Sequence, residues 1–162
     1  APRIEYAVLR GPDRTPEAFD QLALPPTHIF LQTGVGGMAA AVAAQAKRRW
    51  GDARPTIVLA DPDKSACWLD SFLAGRPVAV EGDLDTLMAG LACGEVSALA
   101  CESAVAGLAG LMAAMSDDAA RAALGLGPDA RVLVFGTESD TDPQVYRDIV
   151  GMDADAVRGA AR

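Results

Sequence analysis

Thr33-Gly34-Val35-Gly36-Gly37-Met38 sets three glycines between an apolar run, 28–32 (HIFLQ), and an Ala-rich stretch, 38–50. A loop of this kind can hold an anion. Glycine lets the backbone approach closely, and the unpaired amides of a helix's first turn face the charge with the helix dipole behind them. Phosphate is the implied ligand. A tight strand-to-helix turn that needs glycine for packing would use the same residues with no ligand. Gly34-x-Gly36-x-x-Ala39 also satisfies the dinucleotide fingerprint, and Asp61 ends the next apolar run, about where a ribose-binding acid belongs. An NAD site is therefore open beside a simple phosphate cradle.

Other polar clusters are less specific. Asp61-Pro62-Asp63-Lys64 can hold a ribose or an ammonium group, or form a solvated turn. Residues 135–142 (FGTESDTD) follow an apolar run and carry six hydroxyl or carboxyl groups, more than one helix cap requires. At the carboxyl edge of a sheet such groups converge on the polar end of a ligand. The run 81–86 (EGDLDT) lacks the ligand spacing of a calcium loop and reads as a helix start with acids in its first turn. Glu102 stands in an apolar segment, where a carboxylate must be paired or protonated. His28 is the only histidine and precedes an apolar run, which favours a structural role. With no second histidine, no Ser–His or Cys–His device has another candidate base. No metal site is expected.

Elements that would position these residues alternate along the chain. Strands are expected at 4–9, 28–32, 56–60 and 131–135, with a short one at 77–80. Helices are expected at 16–22 behind a Thr15 cap, 38–50, 65–74, 83–92, 103–115, 117–124 and 143–150. The 38–50 helix ends in Lys47, Arg48 and Arg49 with Gly51 after it, which suits both the dipole and the stop. Strands apolar throughout are covered on both faces, and alternation with helices means parallel crossovers. The expected fold class is α/β, a three-layer αβα sandwich with a mainly parallel sheet. Residues 1–150 form one domain in this reading and 151–162 a C-terminal tail.

Composition narrows the functions. The 162 residues carry 22 acidic and 14 basic side chains, a net charge of −8, which argues against a nucleic-acid grip. Half of the chain (51%) is hydrophobic, which excludes a disordered segment, while aromatics are only 5%, so Ala, Val and Leu must build the core. Residues 98–115 just reach membrane-spanning length, but Ala, Gly and the central Glu102 favour a buried helix over a membrane partner.

Four blocks together resemble one family: 28–38 (HIFLQTGVGGM), 61–67 (DPDKSAC), 82–95 (GDLDTLMAGLACGE) and 137–150 (TESDTDPQVYRDIV). They are similar to diaminopropionate ammonia-lyases, fold type II enzymes that use pyridoxal 5′-phosphate and convert 2,3-diaminopropionate, a small amino acid, into pyruvate and ammonia. The resemblance implies that Gly34, Val35, Gly36, Gly37 and Met38 cradle the cofactor phosphate, displacing the dinucleotide reading. It implies that Glu102 and Ser103 match a Gly-Glu-Ser-Gly segment near the cofactor, with Cys101 and Ala104 replacing the glycines. Thr137, with Glu138 beside it, falls where a hydroxyl faces the pyridine nitrogen and leaves it unprotonated. Gly136 and Ser139 depart from the commoner Ser-Thr-Glu-Gly pattern. The family's Schiff-base lysine and catalytic aspartates belong to a portion upstream of these blocks. No catalytic residue is therefore assigned to this chain, whose only lysines are Lys47 and Lys64. The chain reads as one of two domains, with a segment near 96–101 shortened, from a cytoplasmic enzyme that is homodimeric at full length. Cys67 and Cys93 lie in two of the matching blocks and are expected to be neighbours in space; a disulfide between them and two small buried thiols in a reducing cytoplasm are both open.

Overall fold

A computed structural model describes residues 2–8, 15–84, 91–94 and 106–136, together with 147, 152, 153 and 156. Four strands, β1 (Arg3–Val8), β2 (His28–Gln32), β3 (Thr56–Ala60) and β4 (Arg131–Gly136), form one sheet in the order β1-β4-β2-β3. Each pairing is parallel; His28 sits opposite both Thr56 and Val132. The helices are α1 (Thr15–Asp20), α2 (Gly37–Trp50), α3 (Cys67–Ala74), α4 (Ala106–Ser116) and α5 (Asp118–Leu124).

Alternation along β2 and β4 divides the core in two, because successive strand side chains leave on opposite faces. Ile29, Leu31, Leu133 and Phe135 pack with Phe19 of α1 and Met38, Ala39, Val42 and Ala46 of α2. Phe19 also meets Trp50, at a ring separation of 4.6 Å, and Phe135 at 6.3 Å. On the other face Phe30, Val132 and Val134 pack with Leu111 of α4 and with Leu126 and Ala130 beyond α5. This is the three-layer arrangement expected. β2 is buried throughout, whereas β3, at the sheet edge, is only half-covered. Small residues bring α4 close to the sheet: a Cβ on Gly107 would lie 3.0 Å from the Phe30 carbonyl oxygen, and one on Gly110 2.8 Å from the Ala60 Cβ. Beside β3, α2, α3 and α4 flank an open apolar groove of about 1040 Å³, lined among others by Ala39, Val58, Leu69, Phe72 and Ala113. None of the helices among the described residues is long and apolar enough to cross a membrane.

His28 is structural. Its Nε2 lies 2.6 Å from the Leu124 carbonyl, which can only accept, so that nitrogen carries the proton. Its Nδ1 faces the Thr27 hydroxyl at 2.8 Å. This ring ties the start of β2 to the end of α5.

Several expectations need correction. Residues 77–80 are not a strand. The Val78 amide donates to the Ser71 hydroxyl and the Val80 amide to the Gly94 carbonyl, so neither joins a ladder. Thr15 is the first residue of α1 and lies within it. Residues 63–65 form a separate 3-10 turn before α3. Cys67 and Cys93 are not joined in a disulfide. The expected helix at 143–150 and most of that at 83–92 lie outside the described residues, as does the C-terminal tail save Met152, Asp153 and Ala156.

Candidate functional site

The parallel sheet brings the carboxyl ends of β2, β3 and β4 to one edge, where α/β proteins bind ligands. The glycine loop follows β2 there. Gly34, Gly36 and Met38 are buried, Val35 and Gly37 half-buried. Gly36 has φ 97°, a left-handed conformation open to glycine, and turns the chain into α2. Its carbonyl accepts the Ala40 amide at 2.9 Å, the first bond of the helix. No side chain caps this start. The α2 terminus thus offers backbone amides and the positive end of a 14-residue helix to an anion.

The loop is held from behind by residues after β3. The Trp68 indole Nε1 donates to the Gly34 carbonyl at 2.9 Å. Its six-membered ring lies so close to Gly36 that any Cβ there would overlap it. Asp61 joins the two strand ends: one carboxylate oxygen accepts the Thr33 hydroxyl, and the other accepts the Trp68 backbone amide at 3.2 Å. The Thr33 amide in turn donates to the Ala60 carbonyl at 3.0 Å. Burial raises the Asp61 carboxyl above the ordinary aspartate value, and the hydrogen bonds from Thr33, Trp68 and Leu69 oppose that rise. Burial also pushes the Cys67 thiol up, with the Asp61 carboxylate adding to the effect. Cys93 is close enough to act on it electrostatically.

These contacts correct the dinucleotide alternative. A ribose-binding acid must present its carboxylate to the ligand, whereas Asp61 turns both oxygens inward to Thr33 and Trp68. Trp68 is the residue that the sequence motifs did not single out. It follows the 61–67 block directly, and no local pattern distinguishes an indole that will bond a carbonyl more than 30 residues away from one in a core. Glu102, Ser103, Thr137 and Glu138 lie outside the described residues. The strand leading to Thr137, β4, ends at the same edge beside β2.

The family model described as pyridoxal-phosphate dependent enzyme matches residues 14–139. The chain belongs to this family. The diaminopropionate ammonia-lyase of Escherichia coli (strain K12) is 32% identical over 186 residues, covering 90% of this chain and 46% of that protein. The Salmonella typhimurium enzyme of the same name is 32% identical over 183 residues, covering 83% and 45%. Among solved structures, the selenomethionine-labelled holo diaminopropionate ammonia lyase from Escherichia coli matches with a TM-score of 0.69 at 29% identity. The match covers 86% of this chain and 45% of that one. The same enzyme in complex with D-serine matches with a TM-score of 0.68 at 27% identity, with the same coverage. The chain therefore spans about half the length of these pyridoxal-phosphate-dependent relatives.

Proposed function

We propose that this chain supplies the cofactor-flanking domain of a pyridoxal 5′-phosphate-dependent lyase that eliminates ammonia from 2,3-diaminopropionate to leave pyruvate. The observation that carries this reading is the uncapped α2 terminus behind the left-handed Gly36, in a chain related to diaminopropionate ammonia-lyases. The residues fit the group: a Cβ on Gly36 would overlap Trp68, so the loop is built for glycine, and helix amides suit a phosphate. When bound, the cofactor supplies an electron sink for loss of the α-proton and the β-amino group.

In this reading Gly34, Val35, Gly36, Gly37 and Met38 hold the phosphate. Glu102, Ser103, Thr137 and Glu138 contribute to the ring side, with the Thr137 hydroxyl at the pyridine nitrogen. No residue of this chain is assigned a covalent bond to the cofactor. Lys47 pairs with Asp52 at 2.6 Å and Lys64 with Asp83 at 2.8 Å, both at the surface. The same likeness supports a small amino acid as substrate; a cytoplasmic homodimer as the full-length form is part of the proposal.

A fluorescence titration with pyridoxal 5′-phosphate tests the cradle. Weak, phosphate-competed binding is expected, and Gly36→Asp is expected to abolish it because any side chain there overlaps the Trp68 ring and strains the left-handed turn that shapes the loop. Circular dichroism checks that the variant folds. NADH binding that is lost on Asp61→Ala, with no pyridoxal 5′-phosphate binding, would overturn the assignment.

A further inference from the structure

We infer that Trp68 is a positioning residue, held by Asp61, that aims the amides of the glycine loop at the cofactor phosphate. The inference rests on the phosphate-cradle reading above and adds the device that keeps the cradle in shape.

The geometry works through one peptide plane. A trans peptide is planar, so its C=O and the following N–H point in opposite directions. The Trp68 indole fixes the Gly34 carbonyl at 2.9 Å. The Val35 amide in the same plane must then point away from α3. Without that bond only the weak Cys67 thiol donor, 3.9 Å from the same carbonyl, restrains the Gly34–Val35 plane, and glycine imposes little backbone preference. The same ring lies against Gly36, where a side chain would otherwise be, and so supports the left-handed turn that starts α2.

Trp68 is itself fixed by Asp61. The carboxylate takes the Trp68 amide on one oxygen and the Thr33 hydroxyl on the other. Thr33 is the first residue after β2, and Asp61 the first after β3. One side chain therefore links both strand ends and the first turn of α3. A half-buried carboxylate with charge-assisted bonds on both oxygens is a stiff joint.

The test uses the ¹⁵N-labelled 162-residue chain, titrated with pyridoxal 5′-phosphate and separately with pyridoxal, which has the ring without the phosphate. The amide resonances of residues 35–37 are followed. Trp68→Phe keeps an aromatic ring and removes the N–H. It is expected to raise the dissociation constant for pyridoxal 5′-phosphate about five- to tenfold, the equivalent of one hydrogen bond. Resonances of β2 and β4 should stay in place and the response to pyridoxal should not change. Asp61→Asn, which cannot accept from both Thr33 and Trp68, is expected to weaken phosphate-dependent binding likewise and decides the matter if Trp68→Phe disturbs the core resonances. Wild-type affinity in these variants, with binding still abolished by Gly36→Asp, would overturn the positioning role and leave the cradle standing. No phosphate-specific shift at residues 35–37 in the wild-type chain would bring down the cradle, and the positioning role with it.

Discussion

Asp61 shows how one residue can be visible in a sequence for the wrong reason. Its place at a strand end beside a glycine loop is what a ribose-binding acid would have, yet its carboxylate faces Thr33 and the Trp68 amide. The glycines were legible because left-handed backbone and close packing select that residue type directly. The direction in which a carboxylate turns depends on α3, which reaches it only in the folded chain. The inward position has a consequence for pH. Burial keeps the Asp61 carboxyl above its ordinary value, so folding favours the protonated form. Its contribution to stability is whole below the ordinary aspartate range and is lost as pH rises through the raised folded value. Urea unfolding of the wild-type chain and Asp61→Asn is expected to show the wild type losing stability relative to the variant as pH rises from below the ordinary aspartate range to neutrality. A stability difference that does not change across that range would contradict the burial argument.

At the scale of elements, the best-read segments carry their own signals. β2 and β3 are continuous apolar runs, and both were placed to the residue. The basic last turn of α2 and Gly51 marked its end, where Gly51 donates to the Lys47 carbonyl. Residues 77–80 are apolar enough for a strand but join none of the described strands, and the Val78 and Val80 amides bond to Ser71 and Gly94 instead. A strand is a property of two segments, which one segment's pattern cannot supply. α5 is the opposite case, because its start depends on a local cap. The Asp117 carboxylate accepts the Ala119 and Ala120 amides at 2.8 and 3.1 Å. Asp117→Ala is expected to lower the unfolding free energy by about 1 kcal/mol, and Asp117→Asn by less. Thermal unfolding followed by circular dichroism measures both; equal loss in the two variants would point to charge rather than capping.

For the whole molecule, the two lysines, Lys47 and Lys64, are the side chains to test for a bond to the cofactor aldehyde. Both lysines are engaged at the surface in ion pairs, Lys47 with Asp52 and Lys64 with Asp83. Incubation with pyridoxal 5′-phosphate followed by borohydride and peptide mapping is expected to leave Lys47 and Lys64 without stoichiometric label. Stoichiometric labelling of either, with pyruvate released from 2,3-diaminopropionate, would show that the chain carries its own chemistry. The strand order has a different consequence, in the time at which the sheet becomes complete. β2 and β3 adjoin both in sequence and in space, but β4 sits between β1 and β2 and comes last of the four. As the chain leaves the ribosome, the partner that β1 has among the described residues comes only when residues 131–136 emerge. Closing that long loop carries a large entropy cost before any contact offsets it, so local pairs form earlier than distant ones. Until then the apolar face of α4 has only part of its sheet to cover, and the nascent chain exposes the surface on which aggregation and chaperone capture act.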